Sequence, residues 1–396
     1  MHSLLCGLDR IHATGNCVFI QKLKRTATMK KKLTIFARPA FRTGMAMLSL
    51  AFAASCHKDD HNQDPMPQPA RNDYQQVNLV SDRPGFNAAV IDTNLVNAWG
   101  ISSSPAGTIW VSSAFKGLST LYRGGDTVLA PVTIPLAGPG LPPFPGIGVV
   151  TGQVFNDDST NFIFQVDKIT AKSRFIFVTI TGSVAAWAAG PTAVTVVDNS
   201  ATAVYTGVTI AKDAGAAYLY AANSLSGKID VFDKNFHAVT SKPFLDPQMP
   251  TGFTPFNIKL INDMLFVAYA KPIPGGAEKL VGSGYVDIFK TDGTLVKRFA
   301  SKDSLNAPWG LALANATFSG GKETILVGNF GDGRINMYDL NGGFLGQLKS
   351  GQQPLEVDGL WALEANMPKQ DPNRIYFAAG PEKETHGLFG YLVRKP

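Results

Sequence analysis

The sequence predicts an all-β fold, a six-bladed β-propeller made of four-stranded blades and closed by an N-terminal strand that joins the last blade. Two observations lead to this prediction. A unit that opens with glycine, or with an equivalent small or kinked position, recurs six times at intervals of about fifty residues. Each opening is followed by two short runs rich in Val, Ile, Tyr and Phe with a Gly-containing turn between them, which is typical of a β-hairpin.

Each unit has room for four strands. The clearest unit runs from Asn306 to Asp339, and its Asp332-Gly333 pair is a strong hairpin signal. An inner strand after the opening, two hairpin strands and an outer strand such as Gly343–Leu348 complete one blade. The six openings are Trp99-Gly-Ile, Thr151-Gly-Gln-Val, Thr206-Gly-Val, Pro255-Phe-Asn-Ile, Trp309-Gly-Leu and Asp358-Gly-Leu-Trp.

The last unit stops at Gly387–Val393, before a fourth strand, whereas Tyr74–Val80 precedes the first unit. We therefore expect Tyr74–Val80 to complete the last blade and close the ring, which leaves no long unpaired sheet edge.

The chain divides into four predicted segments. We expect residues 1–28 to lie upstream of the true start, 29–55 to be a lipoprotein signal peptide, 56–73 a flexible polar tether and 74–396 the propeller. The signal peptide has a basic start at Met29-Lys-Lys-Lys, followed by an apolar stretch too short to span a membrane as a helix.

Cys56 is the predicted lipidation site. The preceding Ala53-Ala-Ser resembles a bacterial lipobox, and His57-Lys-Asp-Asp resembles the surface-export signal of lipoproteins from Bacteroidetes-like bacteria. An ordinary signal peptide that passes a cysteine is the alternative. The resemblance implies an outer-membrane lipoprotein, surface-exposed or otherwise periplasmic, that is held at the membrane by its lipid.

The basic charge of the chain is concentrated in its first residues. Residues 1–56 contain nine Lys and Arg against one acidic residue, and subtracting these from the 36 basic and 30 acidic residues of the chain leaves 27 and 29. A nucleic-acid partner is therefore not expected, since phosphate binding needs a concentrated basic surface. Cys6, Cys17 and Cys56 are the chain's three cysteines, so disulfide and thiolate chemistry are excluded from the predicted propeller.

Strand alternation predicts which residues converge. The loop that leads into each inner strand and the turn between the second and third strands should lie on one face of the ring. A concave face with aromatic, amide and carboxylate side chains is typical of a ligand site, and tryptophan can stack on a sugar ring. The candidate ligand-binding residues on this face are Asn97, Trp99, Asn257, Asn306, Trp309, Asn329, Asp332, Asp358, Trp361 and His386.

Structural roles compete with ligand binding at these positions. Asn223, Asn329 and Asp332 are typical of residues that fix turn geometry, and the tryptophans lie where neighbouring blades would pack. Arg334 is expected to tie neighbouring blades together. His386 is the sharpest functional candidate, with a solvated loop histidine as the alternative.

The sequence contains no recognised catalytic motif: a nucleophile elbow, a His-Glu-x-x-His pair, a P-loop and a zinc-spaced cysteine pair are all missing from it. Calcium or another divalent cation is nevertheless a candidate cofactor, because such ions take carboxylate and amide oxygens. The candidate ligands in the central channel are Asp332, Asp358, Asn257 and Asn306.

Two family resemblances follow from these motifs. The block Ile325–Asp339 resembles an NHL-type repeat, and residues 77–393 resemble an exported bacterial propeller family of unknown function. The motifs that carry the second resemblance are Leu79-Val-Ser-Asp-Arg-Pro-Gly, Asn94-Leu-Val-Asn-Ala-Trp-Gly-Ile, Pro255-Phe-Asn-Ile, Asn306-Ala-Pro-Trp-Gly-Leu, Gly328-Asn-Phe-Gly-Asp-Gly-Arg-Ile-Asn and His386-Gly-Leu-Phe-Gly.

A more distant similarity links the chain to gluconolactonase-like and strictosidine-synthase-like six-bladed propellers. In lactonases of that kind Glu, Asn and Asp hold a channel metal, but the early Glu is replaced here by the segment Asn97-Ala-Trp-Gly. Two functional hypotheses result. The first is a non-enzymatic, surface-tethered binding module for a glycan, peptide or protein, and the alternative is a metal-dependent hydrolase or lactonase.

Overall fold

The computed structural model describes residues 72–138 and 146–396. The predicted extension, the signal peptide, Cys56 and the tether up to residue 71 lie outside the described residues. In the described part of the chain, six large sheets follow one another around a ring, five antiparallel with four strands and one with five strands, of which the edge strand is parallel. The predicted six-bladed β-propeller is confirmed.

The first three blades follow the chain in order. The chain begins with β1 (Tyr74–Ser81) and β2 (Val90–Ile91), which belong to the last blade. Blade 1 contains β3 (Ala98–Ser103), β4 (Thr108–Ser113), β5 (Leu118–Arg123) and β6 (Thr127–Thr133). Blade 2 contains β7 (Val150–Phe155), a small hairpin of β8 (Ile163–Val166) and β9 (Ile169–Lys172), and then β10 (Phe175–Thr179), β11 (Ser183–Trp187) and β12 (Val194–Asp198). Blade 3 contains β13 (Tyr205–Asp213), β14 (Ala216–Asn223), β15 (Lys228–Phe232) and β16 (Ala238–Val239).

The last three blades carry the insertions that matter for the faces of the ring. Blade 4 contains β17 (Thr254–Ile261), β18 (Met264–Ala270), the small pair β19 (Pro272–Ile273) and β20 (Gly276–Ala277), β21 (Tyr285–Phe289) and β22 (Leu295–Ser301). Blade 5 contains β23 (Pro308–Ala314), the helix α1 (Ala316–Ser319), β24 (Thr324–Asn329), β25 (Ile335–Tyr338) and β26 (Phe344–Gln347). After the pair β27 (Lys349–Ser350) and β28 (Gln353–Pro354), blade 6 contains β29 (Leu360–Glu364), β30 (Arg374–Ala379) and β31 (Leu388–Arg394).

The N-terminal strand closes the ring as predicted. Strand β1 pairs antiparallel with β31, from Tyr74 opposite Arg394 to Ser81 opposite Leu388, and β2 extends the sheet in parallel. Asp73, assigned to the tether from sequence, already binds the propeller, because its carboxylate lies 2.9 Å from the Lys395 ammonium. First and last strands therefore share one blade, so the ring is held shut by a full strand ladder.

Apolar side chains fill the spaces between neighbouring blades. Between blades 1 and 2, Trp110 stacks on Phe175 with ring centroids 3.8 Å apart. Between blades 3 and 4, Phe244 lies between Tyr220 and Phe289. Such alternation of inward and outward residues is what the period of a β-strand dictates, and it places one cluster at each blade boundary.

Glycines on the inner strands let the blades approach closely. A Cβ atom on Gly100 would lie 3.1 Å from the Cα of Gly152 in the next blade, and one on Gly207 would lie 2.0 Å from Oδ1 of Asn257. The recurrent opening glycine is therefore explained by backbone contact at the ring centre rather than by turn geometry alone.

The small hairpins and the two short helical segments were not predicted. The hairpin of β8 and β9 turns at Asp167 and Lys168, both with positive φ. The sequence does not predict this conformation, because neither residue is glycine. A short 3-10 helix, Ala114–Lys116, follows β4. Among the described residues, no helix has the length and apolar character needed to cross a membrane.

Candidate functional site

The loops that lead into the inner strands meet the turns between second and third strands on one face, here called the loop-rich face. In blade 1 the Ala114 N–H donates to the Asn97 carbonyl over 3.1 Å, and in blade 5 the Gly331 N–H donates to the Asn306 carbonyl over 2.9 Å. In blade 6 the Gly380 N–H bonds the Gly359 carbonyl. The face is thus built in the same way in separate blades, as strand alternation predicts.

Five rings pack at the centre of this face, and we call them the aromatic cluster: Trp99, Phe256, Trp309, Phe330 and Trp361. Trp361 stacks on Trp99 with centroids 3.6 Å apart and on Phe330 at 4.0 Å. Trp309 meets Trp361 edge-on at 5.9 Å, and all five side chains are buried. The rings come from blades 1, 4, 5 and 6, so they join four blades across the channel.

The indole N–H groups tie the aromatic cluster to its surroundings. Trp309 Nε1 donates to the Thr206 carbonyl of blade 3 over 2.9 Å, and Trp361 Nε1 donates to Asn97 Oδ1 over 3.0 Å. Trp99 Nε1 is buried and has no hydrogen-bond partner among the described residues. The three predicted tryptophans therefore pack with one another as the core-packing alternative supposes, and a ligand could reach them only if the cluster opened.

Asn97 links the aromatic cluster to a carboxylate. Its Nδ2 donates to Glu384 Oε2 over 3.1 Å while its Oδ1 accepts from Trp361. Burial raises the pKa of the Glu384 carboxyl, and the Asn97 hydrogen bond and the Lys279 charge oppose that rise. Glu384 was not among the sequence candidates, because nothing in its loop sequence indicates that it folds inward.

Asn329 acts as a staple within blade 5. Its Oδ1 accepts from the Asn306 N–H at 3.1 Å and from Asn336 Nδ2 at 3.2 Å, while its Nδ2 donates to the Ser304 carbonyl and to Asp332 Oδ1. These bonds hold the lead-in loop against the turn. Asn329 and Asp332 therefore have the local structural role that was the alternative to ligand binding.

The same staple recurs in blade 3. There Asn223 Oδ1 accepts from the N–H groups of Val204 and Ser226, and Asn223 Nδ2 donates to Asp230. Arg334 likewise behaves as expected, since its guanidinium makes a two-point contact at 2.9 and 2.7 Å with Glu356 in the segment that leads into blade 6.

Asn257 takes the place of the opening glycine in blade 4. Its Nδ2 donates to the Trp309 carbonyl over 2.8 Å, and its Oδ1 lies against Gly207. Asn257 therefore bridges blades 3, 4 and 5 near the channel.

The remaining two candidates lie in blade 6. Asp358 Oδ2 accepts from the Glu382 N–H over 2.8 Å. His386 Nδ1 lies 2.7 Å from Asp82 Oδ2, and the Gly387 N–H donates to the other oxygen of Asp82. His386 is thus joined to the residue that follows the closing strand β1.

The four candidate cation ligands are engaged in protein contacts to different degrees. Asp332, Asp358 and Asn257 each accept or donate hydrogen bonds described above, whereas Asn306 Oδ1 is buried with no hydrogen-bond partner in the described part of the chain. Within residues 72–138 and 146–396, no group of three or more His, Cys, Asp or Glu side chains is arranged to hold a metal ion. The predicted cation site stays a prediction.

An insertion between β18 and β21 of blade 4, residues 271–284, stands on the loop-rich face. Its Lys279 ammonium lies 3.9 Å from the centroid of the Phe330 ring and so covers the aromatic cluster. The side chains of Ile273, Leu280 and Val281 are 49%, 58% and 60% exposed. This insertion therefore carries a cation and three exposed apolar side chains.

The opposite end of the channel has a different character. A cavity of about 200 Å³ opens where the inner strands end, and we call it the channel pocket. Lys259 of blade 4 and Glu364 of blade 6 form an ion pair in its wall. Ser102 and Thr209 add hydroxyl groups, and Met367 adds an apolar surface. Sequence reasoning missed this pocket because its charged residues, Lys259 and Glu364, belong to no repeated motif.

Comparison with known proteins finds relatives of the whole fold. The uncharacterized protein R648 of Acanthamoeba polyphaga mimivirus is 30% identical over 331 residues, which cover 80% of this chain and 79% of that protein. A second uncharacterized mimivirus protein is 38% identical over 199 residues, 48% of this chain. The chain spans about half the length of that second relative, 52%. The expected relation to exported bacterial propellers stays a prediction, since these relatives are viral.

Solved structures give weaker likenesses. Virginiamycin B lyase from Staphylococcus aureus is 12% identical with a TM-score of 0.48, covering 81% of this chain and 99% of that one. The soluble aldose sugar dehydrogenase from Escherichia coli is 12% identical with a TM-score of 0.48, covering 81% of this chain and 100% of that one. At these values the likenesses add nothing to what the strand topology establishes.

No family model matches the chain. The relation to the mimivirus protein covers most of both chains at 30% identity, and the chain therefore belongs to the same protein family as the uncharacterized mimivirus protein R648.

Proposed function

We propose that this protein is a tethered binding propeller whose loop-rich face docks a peptide or protein partner. The observation that carries the proposal is the blade 4 insertion, which exposes Ile273, Leu280 and Val281 and also carries Lys279. Clustered exposed apolar side chains with a charged neighbour are typical of interaction sites. An acidic and apolar partner segment would complement both features.

The insertion is built to present these side chains. Ala277 is buried in the core, the Glu278 N–H donates to the Lys271 carbonyl over 2.8 Å, and Glu278 accepts from the Ser283 hydroxyl at 2.8 Å. A surface that is already ordered loses less conformational entropy on binding. This order supports a role in recognition rather than a loose connecting loop.

A peptide or protein suits the face better than a glycan. Stacking on a sugar ring needs an accessible aromatic face, and Trp99, Trp309 and Trp361 are buried together. The apolar side chains of the insertion, in contrast, are accessible.

Export and lipid attachment at Cys56 complete the proposal. They are supported by the basic and apolar stretches of residues 29–55 and by the small residues before Cys56. In a bacterial host, Cys56→Ala should release the protein from the membrane fraction, and protease treatment of intact cells should cleave the unaltered protein. Retention of the variant in the membrane fraction would contradict lipid attachment at Cys56. Full protection of the unaltered protein from protease would contradict its exposure at the cell surface.

Partner docking is tested by placing a photoreactive amino acid at position 280 in the full chain. A matched control carries it at Leu345, which is 52% exposed on β26 of blade 5. We expect a discrete cross-linked adduct from position 280, lost on adding Ile273→Asp, and none from position 345. Identical adducts at both positions, or none at 280, would sink the proposal.

A metal-dependent hydrolase or lactonase is the second candidate. Among the described residues Asn306 Oδ1 is buried without a hydrogen-bond partner, which favours this candidate because such an oxygen suits a hard cation. Stoichiometric calcium or zinc in the purified protein, lost together with hydrolase activity in Asp358→Ala, would favour this candidate over a pure binding role.

A further inference from the structure

The channel pocket carries an inference that is independent of partner docking on the loop-rich face. It lies at the opposite end of the channel, where Ser103 of blade 1, Thr209 of blade 3 and Lys259 of blade 4 face a common cavity with Glu364 of blade 6. Side chains from distant parts of the chain thus converge on a space that no core residue fills.

The size of the pocket limits its occupant. Its volume is about 200 Å³. This is smaller than the ~300–1,000 Å³ of pockets that hold drug-sized ligands. A molecule of amino-acid size would fill it.

The charges in the pocket are opposite and adjacent. Lys259 and Glu364 are bonded to each other, and their side chains are 30% and 17% exposed. Among the described residues, neither has a further ion-pair partner, so two of the three N–H donors of Lys259 and one oxygen of Glu364 are available. A ligand that offers both charges can satisfy these groups together.

The neutral polar groups show which atoms are free. Ser102 Oγ accepts from the Phe155 N–H at 3.0 Å, and Thr209 Oγ1 accepts from the Leu260 N–H at 3.3 Å. Each hydroxyl therefore keeps its own proton to donate. Gln153 is committed at both ends, since it accepts from Ser119 and donates to the Gly100 carbonyl. The pocket thus adds hydroxyl donors, which suit a carboxylate.

We propose that the channel pocket binds a small zwitterion, an α-amino acid, with Lys259 and the hydroxyls on its carboxylate and Glu364 on its ammonium. A ligand with one charge that displaced either partner of the Lys259–Glu364 pair would leave the other without a counter-charge in a partly buried site, which is costly. An uncharged polyol would have to compete with the ion pair without replacing it.

The test is a thermal-shift and calorimetric screen of the full chain against each standard amino acid. Acetate, ethylamine and glycerol at equal concentration serve as single-charge and uncharged probes. We expect saturable binding of at least one amino acid and none of the three probes. Binding by no amino acid, or equal binding by glycerol, would overturn the proposal without any variant being needed.

Variants then locate the site. Lys259→Gln and Glu364→Gln should each weaken binding by at least about tenfold, which corresponds to ~1.4 kcal/mol. Lys242→Gln is the matched control, because Lys242 pairs with Asp213 away from the pocket and should bind as the unaltered chain does. Unchanged affinity in both pocket variants would also contradict the assignment. Since the docking test probes position 280, the two proposals can fail separately.

Discussion

The two ends of the central channel are made by the same inner strands and have opposite properties. At the loop-rich end, strand starts contribute Trp99, Trp309 and Trp361, which stack into a buried cluster. At the other end, strand ends contribute Lys259 and Glu364 around a cavity. Packing across the ring therefore joins blades at one end of the channel, whereas the other end contains a cavity.

The largest expected effect comes from breaking the aromatic cluster. Trp361→Ala removes the ring that contacts Trp99 and Phe330, and we expect the free energy of unfolding to fall by about 3–5 kcal/mol. Urea unfolding followed by circular dichroism measures this loss. Trp187→Ala, at a half-buried ring of blade 2, is the control and should cost clearly less. Equal losses would mean that the cluster has no special role.

The next effect concerns the staples of the loop-rich end. Asn329→Ala leaves the buried Asn306 N–H without its partner and removes one of the two hydrogen bonds to the Ser304 carbonyl, which should cost about 1–3 kcal/mol. Urea unfolding of this variant is compared with that of Asn341→Ala, an exposed turn position. If Asn329→Ala lowered the free energy of unfolding no more than Asn341→Ala does, the stabilising role of the Asn329 hydrogen bonds would be contradicted.

The channel pocket should contribute little to stability. The double variant Lys259→Gln and Glu364→Gln removes a partly exposed ion pair, so we expect a change within about 1 kcal/mol. The midpoint of urea unfolding provides the measurement. A loss as large as that of Trp361→Ala would show that both ends serve the same structural purpose.

The smallest effect is a pH dependence at the loop-rich end. Because burial raises the pKa of Glu384 above its ordinary 4.5, the folded state binds this proton more tightly than the unfolded state. Its contribution to stability is therefore full below pH 4.5 and lost as the pH rises through the folded pKa. Stability measured across this range should decline less in Glu384→Gln than in the unaltered chain. A parallel decline in both proteins would contradict the assignment to Glu384.

The sequence predicted the fold well because the repeated residues are those that close strand contacts and turns require. The opening glycines mark close contact between inner strands, as at Gly100, and the short final unit indicated closure by Tyr74–Val80. Asn329 and Asp332 were recognisable as turn residues for the same local reason.

The candidate site was only partly predictable. That Trp99, Trp309 and Trp361 share a face follows from strand alternation, but their mutual burial depends on distances across the ring. Lys259 and Glu364 are 105 residues apart and belong to no repeated motif. Nothing local in either segment indicates that these two side chains meet. The channel pocket is therefore visible only in the folded structure.

The aromatic cluster keeps its three tryptophans buried, and in this sense it seals the loop-rich end. The most direct measurement is acrylamide quenching of fluorescence in the variant Trp110→Phe and Trp187→Phe, which keeps the three cluster tryptophans as its emitters. The account predicts weak quenching in the folded protein that rises to the unfolded value in urea. Quenching of the folded variant as efficient as that of the unfolded chain would contradict a sealed end.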